Sequence, residues 1–299
     1  GPLSFPARED SKLEYSNPEI PEGINTSKTH PLKEFLWLTG GVMAAIFALV
    51  LILILFADVI TSYIPFSVEQ NITFSGVEAS TEEGPLPEYL QSLADRIVRA
   101  EDLPEDMKIT IHYLDDETVN AFATLGGHIF FFRGLLEKLP NENALAMLMA
   151  HEIAHIKHRH PIRSLGRGVI VGLALSVIST AAGDAIIESF LGKTGYLTIL
   201  KYNRDMESQA DETAIQALNS IYGHLGGADE LFKILKEEAG RLEPPVFFST
   251  HPLTENRLYE IKIHTEKHPA HDVTDITPLP QEFEKWVEEK EEEEKTISL

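Results

Sequence analysis

The chain of 299 residues contains no cysteine. A disulfide scaffold, a thiolate-ligated metal site and a cysteine nucleophile are therefore excluded together. Positive charge is also scarce: 25 Lys and Arg face 47 Asp and Glu, a formal charge of −22. Binding to nucleic acid requires clustered basic side chains against phosphate, so that class is excluded as well. Part of the acidity is local, because eight Glu stand against three Lys between Glu282 and Lys295, the pattern of a solvated tail. What remains is ordinary for a folded protein, with 43% hydrophobic and 24% charged residues. The length suits one catalytic domain plus extra segments.

One stretch lacks charge altogether. Phe35 to Phe56 is a run of 22 residues in which Thr39 is the one ordinary polar side chain. As a helix it spans roughly 33 Å, enough for a hydrocarbon core of about 30 Å. Trp37 lies near one end and Tyr63 just past the other, where interfacial aromatics belong. A secretory signal core is shorter and leads into a cleavage site, which Asp58 to Pro65 does not resemble. Lys28 and Lys33 precede the run, and no Lys or Arg follows until Arg96. The positive-inside rule then keeps the N-terminal tail in the cytoplasm and places the larger part outside. That side is the periplasm of a Gram-negative cell, or alternatively the corresponding face of the mitochondrial inner membrane.

The expected organisation is a flexible tail over 1–33, opening on a Gly1-Pro2 that reads as a tag-removal remnant. A transmembrane helix over 34–57, a linker over 58–80, a catalytic domain over 81–268 and an acidic tail over 269–299 follow. Apolar spacing predicts helices over Leu86–Ala100, Gly134–Leu139, Ala144 to just before Pro161, Arg204–Leu218, Ala228–Ala239 and Leu253–Lys267. Alternation predicts a strand over Met107–Leu114, and an apolar, aromatic run predicts another over His128–Arg133. The fold class is α+β, predominantly helical with a small sheet. A second apolar stretch, Val169 to Leu191, is interrupted by Gly172, Gly183, Asp184 and Glu188. A single crossing there would separate His155 from Glu207 across the bilayer, so it is expected to be a folded helix or hairpin, one that touches the membrane surface or covers the cleft.

The chemistry sits in His151-Glu152-Ile153-Ala154-His155. Residues four apart on a helix lie one above the other, so both imidazoles can bind one cation. Glu152 is placed to take a proton from a water held there. The flank Ala144 to Ala150 is apolar on every side, which implies burial, and two His and a Glu buried without a metal would cost several kcal/mol. A third ligand must come from another helix. Arg204 to Asp211 offers Glu207 and, one turn on, Asp211, which can accept an N–H from a ligating His. His158 and His160 read as structural or as basic residues near a helix C-terminus.

These pieces together resemble the M48 family of zinc peptidases. HEIAH is followed 52 residues after His155 by Glu207 in E-S-Q-A-D. Further matches are Asn120 to Ala123 with Gly126-Gly127, the strand His128 to Phe132, and Ser249-Thr250-His251-Pro252 with Arg257. The resemblance covers roughly residues 80 to 265, and one N-terminal span sets the chain apart from multi-spanning members. It implies a gluzincin fold with one Zn²⁺ per chain on His151, His155 and Glu207, and Glu152 as general base. His251 and Arg257 would lie near the substrate, where either can donate to the oxyanion. Asn120, Gly127 and the strand residues His128, Ile129 and Phe130 would form an edge for an extended peptide, although three consecutive Phe also fit a core strand. The expected partners are protein or peptide substrates and, through the N-terminal helix, the lipid bilayer. The expected function is a membrane-anchored endopeptidase in quality control or processing. The rivals are a narrowly specific exo- or processing peptidase and a chaperone-like scaffold on a latent protease fold.

Overall fold

The structure is a computed structural model that describes residues 31–70, 84–168, 201–240 and 246–287. Residues 1–30 of the expected 1–33 tail, the Val169–Leu191 stretch and the last residues of the acidic tail lie outside these. The chain divides into two compact units, 1–48 and 49–299. In the first, the described residues are the opening part of helix α1 (Pro31–Ser62). Its apolar side chains are bare, Leu38 being 74% and Phe47 71% exposed. A helix of this length and apolarity can cross a membrane. It is longer at both ends than the expected 34–57.

The second unit is mostly helical around a three-stranded sheet. A short helix, α2 (Phe66–Gln70), falls within the expected linker but packs on the turn at 125–127, burying Phe66 and Glu69. Helix α3 (Pro85–Ala100) begins with proline at its first turn and buries Leu86, Leu90, Leu93, Ala94 and Ile97, a stripe at helical spacing. The strands are β1 (Thr110–Leu114), β2 (Ala121–Ala123) and β3 (His128–Phe132). Their order is β1-β3-β2, with β1 parallel and β2 antiparallel to β3. Ile111, Tyr113, Ala121, Ala123, Ile129 and Phe131 face the core, while His112, Phe122 and Phe130 stack on the other face.

After the short α4 (Arg133–Leu136) comes α5 (Glu142–Lys157), which carries the HEIAH string. Every residue from Glu142 to Ile156 is buried, as its uniformly apolar flank predicts. Asn141 caps it, its side-chain oxygen accepting from the Ala144 N–H at 2.8 Å. Helix α5 packs against α3, α6 (Arg204–Tyr222) and α7 (Ala228–Ala239). Helix α6 is capped by Asn203 and ends at Gly223, whose φ of 76° suits glycine. The short α8 (Phe247–Thr250) and α9 (Glu255–Lys267) complete the helices around the site.

Residues 269–287 differ from the expected solvated tail. Thr277 exchanges hydrogen bonds with the Glu142 N–H and the Asn143 side chain, and Phe283 and Val287 are buried. The apolar residues at 283, 286 and 287 supply a face that the surrounding glutamates conceal in composition.

Candidate metal centre

Helix α5 brings His151 and His155 together one turn apart, their Nε2 atoms 3.0 Å from each other. Helix α6 crosses α5 and supplies Glu207, whose Oε1 lies 3.4 Å from His155 Nε2 and Oε2 3.6 Å from His151 Nε2. The residue following α8 adds His251, with Nδ1 3.4 Å from His151 Nε2 and 3.2 Å from Glu207 Oε1. One donor atom from each of these four residues lies within 4.8 Å of the others. A tetrahedron with metal–ligand bonds of about 2.05 Å has edges of roughly 3.3 Å. The five distances scatter around that value. His251 Nε2 and both oxygens of Glu152 are buried without a hydrogen-bond partner. A cation and its water are what such orphaned atoms lack, so the donor set fits a metal.

Behind the four donors lies a charged layer. His151 Nδ1 is 2.9 Å from Asp211 Oδ1, which leaves Nε2 free to face a metal. Arg257 donates to both Asp211 oxygens at 2.6 and 2.8 Å, to the Pro252 carbonyl at 3.0 Å, and reaches Glu207 Oε2. Burial raises the Asp211 carboxyl, but Arg257 and His151 outweigh it and hold the group down to about 2. Burial likewise opposes ionisation of Glu207, and the charges of His251 and Arg257 pull it below the usual carboxylate range. Burial lowers the His155 imidazole well below its ordinary value, and its histidine neighbours push the same way. His151 is raised, because Asp211 and Glu207 overcome its desolvation.

The model of peptidase family M48 matches residues 86–265, more than half of the chain and all of the residues just described. The chain belongs to the M48 family. Among similar proteins, the putative β-barrel assembly-enhancing protease of Vibrio cholerae is 30% identical over 197 residues, 62% of this chain and 40% of that protein. The β-barrel assembly-enhancing protease of Escherichia coli is 29% identical over 190 residues, 59% and 38% of the two chains. The mitochondrial metalloendopeptidase OMA1 of Schizosaccharomyces pombe is 30% identical over 179 residues, 58% and 51%. The M48 chain thus spans between about two fifths and half the length of these relatives.

Three expected roles change with the structure. Arg257, expected near the substrate, has its guanidinium engaged by Asp211, Glu207 and the Pro252 carbonyl. Thr254 caps α9 through the Arg257 N–H, and this start of the helix aims the side chain at α6. His251 joins His151, His155 and Glu207 as a fourth candidate donor, with its Nε2 3.5 Å from Glu152 Oε1. Strand β3 is the central strand of the sheet, so its backbone is already paired on both sides and it is no edge. Ile129 is core; Phe130 stacks on His112 and Phe122; His128 Nδ1 lies 2.9 Å from His112 Nε2. Gly127, with φ of 87°, has its Cα against the Lys108 carbonyl, where a Cβ would come within 2.0 Å. That close approach accounts for the glycine. Asn120 sits beside β2, its backbone carbonyl accepting from Phe132 and its side-chain oxygen buried without a partner.

One residue, Tyr202, escaped the sequence reading, and His160, read as structural or as a basic residue near a helix C-terminus, has a specific partner. Tyr202 stacks on the His155 ring with centroids 3.9 Å apart, and its hydroxyl donates to the Ala123 carbonyl at 3.3 Å. His160 is fully buried, its Nδ1 2.8 Å from His155 Nδ1 and its Nε2 3.1 Å from Gln209 Oε1. Burial pushes its imidazole down to about 3, so it is neutral at pH 7. Its place five residues after His155 was a signal, but a helical wheel does not carry through the intervening turn.

Proposed function

We propose that this M48 chain is a zinc endopeptidase anchored in a membrane through α1, acting on membrane or envelope proteins in quality control or processing. The observation that carries the reading is the coincidence of the His151–His155 pair, the carboxylate of Glu207 and the buried, unpartnered carboxylate of Glu152. His151, His155 and Glu207 would hold the ion, with Asp211 fixing the tautomer of His151 and Arg257 fixing Asp211 and Glu207. When bound, zinc supplies Lewis acidity that makes water nucleophilic near neutral pH and polarises the scissile carbonyl. Glu152 takes the proton from the attacking water and returns it to the departing amine. Imidazole and carboxylate donors without thiolates suit zinc, and the same set also accepts manganese or cobalt.

Strand β2 takes over the role expected of β3. Among the described residues it is the edge strand on the side of α5, and Tyr202 bridges Ala123 to the His155 ring. An extended peptide added along it would lie close to the ligands, with backbone hydrogen bonds that ask little of sequence.

The same geometry supports a closed resting state. Glu152, His155, Glu207 and His251 are all 0% exposed, and His251 offers the fourth donor where an active site keeps an open position. Hydrolysis therefore requires His251 to leave the cluster and peptide to enter. The names of the bacterial relatives refer to β-barrel assembly and that of the yeast relative to mitochondria, which motivates the quality-control setting. Lys28 and Lys33 before the apolar helix favour an extracytoplasmic catalytic part.

The test is metal content together with casein cleavage by the full chain and by Glu152→Gln. One zinc per chain in both proteins, and turnover lower by about 10²–10⁴-fold in the variant, is the expected outcome. No metal after preparation without chelators would refute the reading. Metal in both with equal turnover would remove Glu152 as the base.

A further inference from the structure

We propose that His160 is a positioning residue for the metal centre, accepting the Nδ1 proton of His155 and thereby fixing the tautomer and ring plane of that ligand. The inference rests on the metal-centre reading above and goes beyond it, because His160 touches neither the proposed ion nor the substrate.

The hydrogen-bond sequence has one consistent assignment. If His155 Nε2 faces the ion with its lone pair, its proton must sit on Nδ1. The partner 2.8 Å away is His160 Nδ1, which must then be the acceptor. The remaining proton of a neutral His160 lies on Nε2, and Gln209 Oε1 is there to receive it at 3.1 Å. Every ring nitrogen of the pair is used once. The opposite tautomer of His160 would set two N–H groups against each other and leave the Gln209 oxygen without its donor. His151 achieves the same end with a carboxylate, Asp211, so the two ligands are oriented by partners of different charge. A neutral partner on His155 keeps a fourth negative charge out of a centre that already holds Glu152, Glu207 and Asp211.

The backbone between the two histidines is built to deliver this contact. Helix α5 stops at His158, and Arg159 adopts a left-handed conformation with φ of 59°, a rare state for a side chain of its size. Its guanidinium is held by buried Glu69, by the Ile64 carbonyl at 2.7 Å and by the Phe66 ring. The chain is helical again from His160 onward, and with the break at Arg159 His160 meets His155 at 2.8 Å. Tyr202 stacks on the face of the same His155 ring, with centroids 3.9 Å apart.

The experiment compares the full chain with His160→Asn and His160→Leu. Asn places its Oδ1 where His160 Nδ1 stands, and Leu matches its size without an acceptor. Zinc affinity is read by competition with a chromogenic chelator, and ligand geometry by the visible spectrum after loading with Co²⁺. His160→Leu is expected to lose roughly 10–100-fold in zinc affinity and to alter the Co²⁺ bands, while His160→Asn stays within about threefold of the unmutated chain. Equal affinities and spectra in all three proteins would overturn the proposal, as would equal impairment of Asn and Leu. Should His160→Leu fail to fold, ¹⁵N spectra of the imidazoles in the unmutated zinc form decide: a proton on His155 Nδ1 and on His160 Nε2 supports it, and a proton on His160 Nδ1 refutes it. An unmutated chain that holds no metal would instead bring down the metal centre itself.

Discussion

Replacing Arg257 tests whether the charged layer behind the ligands is structural, as its contacts indicate. The guanidinium is 5% exposed and makes two hydrogen bonds to Asp211 and one to Pro252 while touching Glu207. Arg257→Leu leaves two buried carboxylates without that partner. Removing one member of a buried pair costs about 3–5 kcal/mol, and the low exposure gives no reason to discount it for solvent. Arg257→Lys keeps the charge but cannot fork onto both Asp211 oxygens, so it loses at least one hydrogen bond to a charged group, about 1.5–3 kcal/mol. The assay is urea unfolding of the metal-free chain in detergent, with slope and midpoint compared. The sign of the pH dependence follows from Asp211. Its folded pKa is held down to about 2, below its ordinary 3.8, so the pair contributes fully above pH 3.8 and fades as pH falls through 2. The gap between unmutated and Leu proteins should stay constant from pH 7 to 4 and close below that. A loss under about 1 kcal/mol, coupled with a large fall in peptide turnover, would refute the reasoning and return Arg257 to the oxyanion.

His251→Ala is expected to keep the metal on three ligands and to raise casein turnover by about 10–1,000-fold, the range set by an open state populated at roughly 0.1–10%; a fall in turnover would make His251 a participant in the reaction. Glu101 is buried with no hydrogen-bond partner for either oxygen, and burial raises its carboxyl well above 4.5 despite Lys157 nearby. Its penalty is absent below pH 4.5 and grows as pH rises and the unfolded chain ionises, so Glu101→Gln should stabilise the protein at pH 7 and leave it unchanged at pH 4. Equal urea midpoints at pH 7 would show that the carboxylate is already satisfied.

The candidate donors were legible as a group because their chemistry imposes a spacing that the helix preserves. His151 and His155 at i and i+4, and Glu207 and Asp211 one turn apart, keep their relation in any straight helix. Asn141, directly before α5, caps it in the same local way through the Ala144 N–H. Strand neighbours are different. Periodicity identifies His128 to Phe132 as a strand, but whether it is edge or centre depends on the crossover that brings β1 alongside it. The direction of Arg257 depends on where α9 starts, and the contact of His160 on a single left-handed residue. Tyr202 lies 47 positions from His155, and only packing joins them. Each miss concerns a tertiary relation with no local period.

Charge balance explains why these parts occur together. Glu152, Glu207 and Asp211 are all buried, and three carboxylates cannot stay ionised in that space without compensation. Arg257 offsets one charge, and a divalent ion on the ligands would offset the other two, leaving the proposed holoenzyme centre neutral. Without the ion the deficit must be met from within, and His151 is the group placed to do it, since Asp211 and Glu207 raise its affinity for a proton. Metal binding would then displace that proton from His151 and leave the imidazole neutral, as a ligand must be. His251 supplies a fourth donor without adding a carboxylate to the cluster. A fourth carboxylate in its place would close the site at the cost of an uncompensated charge. The use of histidine at both 160 and 251 therefore follows from the same constraint: the centre has room for more donors but not for more negative charge.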